Sequence, residues 1–198
     1  STLYVEYRKI TYAITYVVDG EVYATDSIEY GVAITLRDEP VKEGYTFGGW
    51  SEIPETMPAT NVTVNGAFTV NRYALIYMVD GEVYATDSIE YGAAIILRDE
   101  PVKEGYTFSG WSEIPETMPA ADVTVNGAFT INRYALVYMI DGEVYATDSI
   151  EYGATITLRE EPVKEGYTFS GWSEVPETMP AADVTVNGGY VSGINNIT

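Results

Sequence analysis

The sequence repeats itself three times with a period of 61 residues, and this repeat constrains the fold more than any other feature. An Asp-Gly pair marks the start of each copy, at Asp19, Asp80 and Asp141, and a single tryptophan marks its middle. Residues 12–72 and 73–133 differ at only nine positions. A fixed period of this kind indicates a tandem array of small units, so we predict three modules instead of one or two larger domains.

The repeat predicts the boundaries of the units. Module 1 is placed at residues 12–72, module 2 at 73–133 and module 3 at 134–191. Residues 1–11 align with residues 62–72 and are predicted to form the last strand of a preceding unit, which makes the chain a piece of something larger. Residues 192–198 depart from the repeat and are predicted to be a C-terminal tail.

The modules are small, and almost nothing links them. A unit of about sixty residues buries only roughly 60% of its unfolded surface, so we expect modest stability and contacts between adjacent modules. Only Asn132 and Arg133 separate the last predicted strand of module 2 from the first strand of module 3. Successive modules would then have little freedom, which predicts an elongated array.

The composition excludes several kinds of partner. The chain carries 30 acidic and 10 basic side chains, a formal charge of −20. Nucleic acid and anionic membrane surfaces are therefore unexpected partners, because both require clustered Lys and Arg. The chain has no His and no Cys, and it has no apolar run long enough to span a membrane. The acidity is expected to keep crowded copies soluble.

Within module 2, the first half of the pattern predicts a β-hairpin. Residues 73–79 alternate, with Tyr73, Leu75, Tyr77 and Val79 predicted to face the core. Asp80-Gly81 follows, which is the strongest short signal for a type I′ turn. Residues 82–91 are predicted to form the returning strand.

The second half of the module mixes strands with a short helical turn. Residues 98–105 are predicted to form one helical turn that begins at Pro101 and ends at Gly105. Residues 106–111 and 122–131 are predicted to be strands, the last with a bulge or bend at Asn126-Gly127. The expected fold class is therefore mainly β, with a small α component.

A longer pattern resembles a known family. The run Gly-Tyr-Thr-Phe-x-Gly-Trp-Ser-Glu-[Ile/Val]-Pro-Glu-Thr-Met-Pro, preceded by Pro-Val-Lys-Glu, occurs within residues 40–66, 101–127 and 162–188. This run resembles the Listeria–Bacteroides repeat of bacterial surface proteins, related to the internalin B-repeat, and the resemblance covers nearly the whole chain. It implies three tandem β-grasp-like modules at the bacterial cell surface, outside the cell, with no catalytic residues.

The aromatic residues divide into predicted core residues and predicted surface residues. The predicted structural core comprises Trp50, Trp111, Trp172, Tyr45, Tyr106, Tyr167, Phe47, Phe108, Phe169, Met57, Met118 and Met179. Aromatic side chains supply much of the buried area in small cores, and Met fills gaps. Tyr84, Tyr91 and Tyr145 are predicted to be exposed, and Tyr23, Tyr84 and Tyr145 are the candidates for ligand-binding positions.

The polar residues offer two chemical alternatives. Acidic residues such as Asp80 and Glu82 could hold Ca²⁺, but no closely spaced Asp motif is present and the hairpin turn explains the pair. Lys103 and Asn126 could form an isopeptide bond, against the simpler interpretation of Lys103 as a solvated side chain. No cofactor or metal site and no enzymatic activity is predicted.

These observations support two functional hypotheses. The first is a structural stalk or spacer in a cell-surface protein. The alternative is a multivalent adhesin in which each module binds a host surface protein or glycan weakly, through a repeated surface patch or an edge strand.

Overall fold

A computed structural model describes residues 1–193, and within this range every regular element is a β-strand. The three modules of about sixty residues each contain five strands. In module 1 these are β1 (Thr11–Val18), β2 (Glu21–Glu29), β3 (Tyr45–Phe47), β4 (Val62–Gly66) and β5 (Phe68–Val70). In module 2 they are β6 (Arg72–Val79), β7 (Glu82–Glu90), β8 (Tyr106–Phe108), β9 (Val123–Gly127) and β10 (Phe129–Ile131). In module 3 they are β11 (Arg133–Ile140), β12 (Glu143–Glu151), β13 (Tyr167–Phe169), β14 (Val184–Gly188) and β15 (Tyr190–Ser192).

Each module pairs its strands in the same way. In module 1, β1 lies between β2, with which it is antiparallel, and β4, with which it is parallel. The short strands β3 and β5 form a separate antiparallel pair. The orders β7-β6-β9 and β12-β11-β14, with the pairs β8-β10 and β13-β15, repeat this topology. The prediction of a mainly β fold in three repeated modules is confirmed.

The hairpin between the first two strands has the predicted turn. Asp80 has a φ of 51° and Gly81 a φ of 80°, the two positive values that a type I′ turn requires. The carboxylate of Asp80 also accepts a hydrogen bond from the N–H of Phe129, 3.1 Å away. The aspartate therefore stabilises both the turn and the start of β10.

The predicted helical turn at residues 98–105 is wrong. Residues 97–103 have no regular structure, and a turn at Glu104-Gly105 leads into β8, with a φ of 79° at Gly105. The predicted start signal at Pro101 does not nucleate a helix, because a single turn fixes many dihedral angles for few hydrogen bonds. None of the described residues forms a helix with the length and apolarity needed to cross a membrane.

The core lies between the three-stranded sheet and the chain segments that connect its strands. In module 1 these are residues 30–44, which we call the irregular segment, and residues 48–61. In module 1 the buried residues are Ile14, Tyr16, Met57, Val62 and Val64. In module 2, Leu75 and Tyr77 are fully buried, as the alternation predicts. Inward-facing side chains of β1 and β4 thus pack against Met57, which lies between β3 and β4.

Polar atoms of two aromatic side chains bind the backbone of the irregular segment. The hydroxyl of Tyr16 accepts a hydrogen bond from the backbone N–H of Arg37, at 3.0 Å. The indole Nε1 of Trp50 donates to the carbonyl of the same Arg37, at 2.9 Å. The segment needs no helix because side chains satisfy its backbone groups.

The chain forms two compact units, and the division lies inside module 2. The first unit consists of Ser1–Ile76, Ala85–Ile96 and Ile114–Thr124. The second consists of Tyr77–Tyr84, Leu97–Glu113 and the residues from Val125 onward. Module 1 lies wholly in the first unit and module 3 in the second.

The two ends of the chain differ from the repeat. Residues 1–10 are exposed and form no strand, and Thr11 begins β1. In modules 1 and 2 the aligned strands β5 and β10 pair with β3 and β8 of the same module. The prediction that residues 1–11 complete a preceding unit therefore stays a prediction. Of the predicted tail 192–198, Ser192 belongs to β15, and residues 194–198 lie outside the described part.

An ion pair connects the irregular segment to the edge strand β2. Arg37 Nε donates to Asp26 Oδ2 at 2.8 Å, and Arg159 makes the same contact with Asp148 in module 3 at 3.1 Å. The hydrogen bond from Arg37 lowers the pKa of the Asp26 carboxyl, and Arg159 lowers the pKa of Asp148 in the same way. Both pairs are exposed to solvent, so their weight in stability is small.

A close approach between a glycine and an aromatic ring gives a stability test. A Cβ on Gly66 would lie 2.1 Å from Cζ of Phe47, closer than any real contact. We expect Gly66→Ala to lower the free energy of unfolding by about 1–3 kcal/mol, because the ring must move. Hydrogen exchange of module 1 amides measures the change. Gly48→Ser is the control, since modules 2 and 3 carry Ser at that position, and an equal loss in both variants would contradict the packing argument.

The ion pair gives a pH test. We expect Arg37→Gln to raise the pKa of Asp26 toward its ordinary value of 3.8 while Asp148 keeps its lowered pKa. Because folding lowers this pKa, the pair stabilises the fold above the ordinary value and loses its effect as the pH falls through the folded value. Carbon-detected NMR titration of the carboxyls follows both residues, and an unchanged Asp26 would show that Arg37 is not the cause.

Candidate binding surface and intermodule joints

The predicted surface tyrosines lie at the start of the second strand of each module. In module 1 the register shifts so that Tyr16 faces Ala24 and Val17 faces Val22, which leaves Tyr23 as the extra residue of a β-bulge. Module 3 has the same bulge at Tyr145. A bulge turns a side chain out of the regular alternation, so two successive residues face solvent.

Exposure of these residues is nearly equal in the three copies. The valine before each tyrosine is 69%, 64% and 64% exposed, and the tyrosines are 50%, 50% and 49% exposed. We name each set of three residues an aromatic face: Val22, Tyr23 and Trp50; Val83, Tyr84 and Trp111; Val144, Tyr145 and Trp172. Tyr23, Tyr84 and Tyr145 are thus exposed, and their role in ligand binding stays a prediction.

A tryptophan supports each exposed tyrosine. The ring centroids of Tyr23 and Trp50 are 6.2 Å apart, with the planes tilted by 41°. On its other side Trp50 makes edge contacts with Tyr16 at 5.1 Å and with Phe47 at 4.8 Å. The indole is therefore fixed by the core and by its bond to Arg37, and it is only partly buried.

A shallow recess of about 480 Å³ adjoins the aromatic face of module 3. Its lining includes Asp141, Glu143, Tyr145, Lys164 and Tyr190. Tyr190 stands where modules 1 and 2 have Phe68 and Phe129, so this recess gains a hydroxyl. Aromatic rings beside carboxylates suit a ligand that has both a flat apolar face and hydroxyl groups.

The modules meet in a joint in which a tyrosine covers a glycine. Tyr91 of module 2 lies on Gly44 of module 1, where a Cβ would come within 2.2 Å of the ring. The ring also makes an edge contact with Tyr45, with centroids 5.9 Å apart. Tyr152 of module 3 covers Gly105 and contacts Tyr106, at 6.1 Å, in the same way.

Backbone hydrogen bonds complete each joint. Asn71 donates its N–H to the carbonyl of Gly44 at 2.8 Å, and its carbonyl accepts the N–H of Tyr91 at 2.8 Å. The side chain of Asn71 also bonds Thr46 and Tyr73. The residue between modules is thus bonded to both of them.

Burial differs between the copies at the joint positions. Tyr91 and Tyr152 are partly buried, whereas Tyr30, the same position in module 1, is 56% exposed. Gly44 and Gly105 are buried, whereas Gly166 is exposed and a Cβ there would meet nothing within 4 Å. Because the copies are nearly identical, these differences come from contacts between modules.

The structure places the predicted core residues at different depths. Met57, Met118 and Met179 are buried, with 1% of their surface exposed. Trp50, Trp111, Trp172, Phe47, Phe108 and Phe169 are partly buried, as are Tyr45 and Tyr106.

Tyr167 departs from the prediction. It is 46% exposed and therefore lies outside the core. Tyr45 and Tyr106 are covered by a tyrosine of the following module, and no described residue plays this part for Tyr167. The predicted core list also omitted fully buried residues, namely Tyr16, Tyr138, Ile14, Leu136, Val64, Val125 and Val186. Their signal was the alternation of the first and fourth strands.

Polar residues that the sequence offers for calcium binding or for an isopeptide bond make structural contacts. The ammonium of Lys103 lies 4.0 Å from the ring centroid of Tyr106, a cation–π contact that recurs at Lys42 and Lys164. Among residues 1–193 no group of three acidic, His or Cys side chains is arranged to hold a metal ion.

Several known proteins resemble this chain. Internalin H of Listeria monocytogenes is 27% identical over 199 residues, which cover 89% of this chain and 35% of that protein. A putative membrane protein of Evansella cellulosilytica is 26% identical, over 86% of this chain and 29% of its own length. The chain thus spans about a third of the length of these relatives.

Solved structures with some similarity include tandem domains 3-4 of Streptococcal High Identity Repeats in Tandem, from a cell surface protein. They are 17% identical, with a TM-score of 0.32, and cover 62% of this chain and 99% of that one. A TM-score of this size does not establish a shared fold.

The sequence pattern of one family matches almost the whole chain. The Listeria-Bacteroides repeat domain matches residues 12–71, 73–131 and 134–192. These three matches contain the aromatic faces and both sides of each joint. The chain therefore belongs to the Listeria-Bacteroides repeat family, as three tandem copies of its domain.

Proposed function

We propose that this chain is a spacer region of a bacterial cell-surface protein and holds other parts of that protein away from the cell envelope. The observation that carries the proposal is the joint of tyrosine on glycine, which occurs at both boundaries between modules. A spacer must resist bending at its boundaries, and freely jointed modules would collapse toward a coil.

The joint has the properties that such a role requires. Only Asn71 lies between β5 and β6, and both of its backbone groups are bonded to the flanking modules. The partly buried ring of Tyr91 adds apolar contact, and Gly44 allows the close approach that no other residue permits. The acidity of the chain supports the proposal further, because like charges on crowded copies repel one another.

The joint is tested by removing its ring. We expect Tyr91→Ala to loosen the boundary between modules 1 and 2, because the cover of Gly44 is lost. Spin labels on Cys introduced at the exposed Thr25 and Thr86 report the distance between these modules, and the natural chain has no Cys to interfere. The distance distribution should be narrow in the parent chain and should broaden in Tyr91→Ala.

Tyr30→Ala provides the matched control, since it removes the same residue from the same position of module 1, where the ring is exposed. Its distance distribution should equal that of the parent chain. A broad distribution in the parent chain itself would refute the spacer function.

Gly44 offers a second test of the joint. Gly44→Ala and Gly166→Ala both force Ala to adopt a φ near 80°, but only Gly44 has a ring within 2.2 Å of the new Cβ. We expect Gly44→Ala to lower the melting temperature by more than Gly166→Ala does, because it adds a clash to the same backbone strain. If calorimetry shows equal decreases in melting temperature for the two variants, the ring of Tyr91 does not pack tightly against Gly44.

The aromatic faces favour a second candidate function, a multivalent adhesin for a host glycan or protein. Their exposed Val-Tyr pairs recur in all three modules, although a spacer gains nothing from apolar residues in solvent. Weak binding at each face would be multiplied by repetition if several faces engage together.

The adhesin candidate is tested on the whole chain with immobilised mucin and matrix proteins. Tyr84→Ser should weaken binding moderately, and combining it with Tyr23→Ser and Tyr145→Ser should lower avidity by roughly 10² or more. Tyr30→Ser, which removes an exposed ring outside the faces, is the control and should bind as the parent chain does. No binding by the parent chain at millimolar concentration would exclude this candidate.

A further inference from the structure

An arginine covers the open edge of the second strand in two of the three modules. In module 2 the guanidinium of Arg72 donates from Nη2 to the carbonyl of Ser88 at 2.7 Å and from Nε to the hydroxyl of Ser88 at 3.0 Å. Its Nη1 donates to Glu90 at 3.2 Å. Arg133 makes the same three bonds with Ser149 and Glu151 in module 3, at 2.7, 3.0 and 3.3 Å.

Module 1 has the acceptors of this site without the arginine. Thr11 stands opposite Glu29, in the position that Arg133 occupies opposite Glu151. The hydroxyl and carbonyl of Ser27 and the carboxylate of Glu29 therefore correspond to the groups that hold a guanidinium in the other two modules. We name these three groups the guanidinium socket. The ammonium of Lys9 approaches Glu29 only to 4.0 Å, and both side chains are more than half exposed.

The backbone of β2 is open at the same place. Ala13 faces Ser27 in the register, yet its N–H donates to Asn61 on the opposite side, at 2.9 Å. Ala13 and Ser27 therefore form a pair without mutual hydrogen bonds, and the N–H and carbonyl of Ser27 point to the free edge. By the same alternation, so do the backbone groups of Thr25 and the N–H of Glu29, whereas the carbonyl of Glu29 accepts a hydrogen bond from the N–H of Val32 at 3.1 Å.

The opposite edge of the sheet is closed at Asn65. Ser51 exchanges two hydrogen bonds with Asn65 of β4, through its N–H and through its hydroxyl. In module 1, β2 is the edge strand of this sheet that carries the socket, and its outward-pointing groups at Ser27 offer a place for pairing.

A groove runs along the socket. It has a volume of about 540 Å³ and is lined by residues 26–29 together with Val32, Ala33 and Thr35. One wall carries the free backbone groups of β2, and the other offers small apolar and hydroxyl side chains. An extended strand that enters such a groove gains both backbone pairing and side-chain contacts.

We propose that the edge strand β2 of module 1 binds an extended peptide segment of a partner protein and that an arginine of this segment occupies the guanidinium socket. The choice of arginine follows from the two occupied copies, in which a planar fork of donors meets a carbonyl, a hydroxyl and a carboxylate. A basic segment is also favoured by the charge of −20. This binding goes beyond the spacer function and does not require it.

The site is exposed, so its affinity is modest. Ion pairs in solvent contribute little, and a single short peptide is expected to bind with a Kd on the order of 1 mM at low salt. Binding should weaken as salt is added, because the charges are screened.

The first experiment titrates the full chain with a short capped peptide of alternating Thr and Val that carries one central Arg. Amide NMR shifts should change at Ser27 and its strand neighbours and stay constant at Ser88 and Ser149, whose sockets are filled. The same peptide with citrulline in place of Arg keeps the size and planar shape. It loses the charge and two of the five N–H donors, because one terminal nitrogen becomes a carbonyl oxygen, and it should bind at least about tenfold more weakly.

Two reciprocal variants then test the socket, one by filling it in module 1 and the other by opening it in module 2. Thr11→Arg should fill the socket of module 1 and weaken peptide binding about tenfold or more, whereas Thr63→Arg, which adds the same charge on exposed β4, should leave it intact. Arg72→Thr should open the socket of module 2 and create new shifts at Ser88. Equal binding of the citrulline peptide, or no effect of Thr11→Arg, would overturn the proposal. The absence of any shift in the parent chain would overturn it as well.

Discussion

A module that has no helix must hold a long irregular segment against a small sheet, and the backbone of Arg37 is where this happens. Its N–H is bonded to the hydroxyl of the buried Tyr16, and its carbonyl to the indole of Trp50. Its guanidinium reaches outward to Asp26 on the edge strand. One residue therefore connects the core, the aromatic face and the sheet. The same hydroxyl-to-backbone bond recurs at Arg98 and Arg159, so the arrangement belongs to the module and not to one copy.

Some of the fold could be predicted because its cause is local. Asp80-Gly81 specifies its turn through two positive φ angles, and the alternation around Leu75 and Tyr77 specifies which side chains are buried. The helical turn at residues 98–105 was predicted wrongly because Pro and Gly also occur in irregular segments. What decides between the two structures is the set of distant partners at Tyr77 and Trp111, which local sequence does not show.

The candidate sites show the same limit. Exposure of Tyr23 was predicted, but the bulge that causes it was not, because Tyr is an ordinary strand residue and carries no bulge signal. Tyr167 was assigned to the core together with Tyr45, to which it is identical in sequence context. Its burial depends on a neighbouring module, so no inspection of the module alone could have separated the two residues. The guanidinium socket has no local sequence signal, because its serine and glutamate occur in every copy and only Thr11, in place of an arginine, distinguishes module 1.

Tyrosine has two distinct roles within each repeat, and only its surroundings distinguish them. At the bulge it stands on an indole and faces water; at the joint it lies on a glycine and is covered. Each module carries both the ring for the joint at one end and the glycine for the joint at its other end. A duplication or deletion of one complete period therefore leaves every remaining boundary correctly matched. The number of modules in such an array can change by unequal recombination in whole steps, with no new interface to evolve, while the chemistry of every contact stays the same.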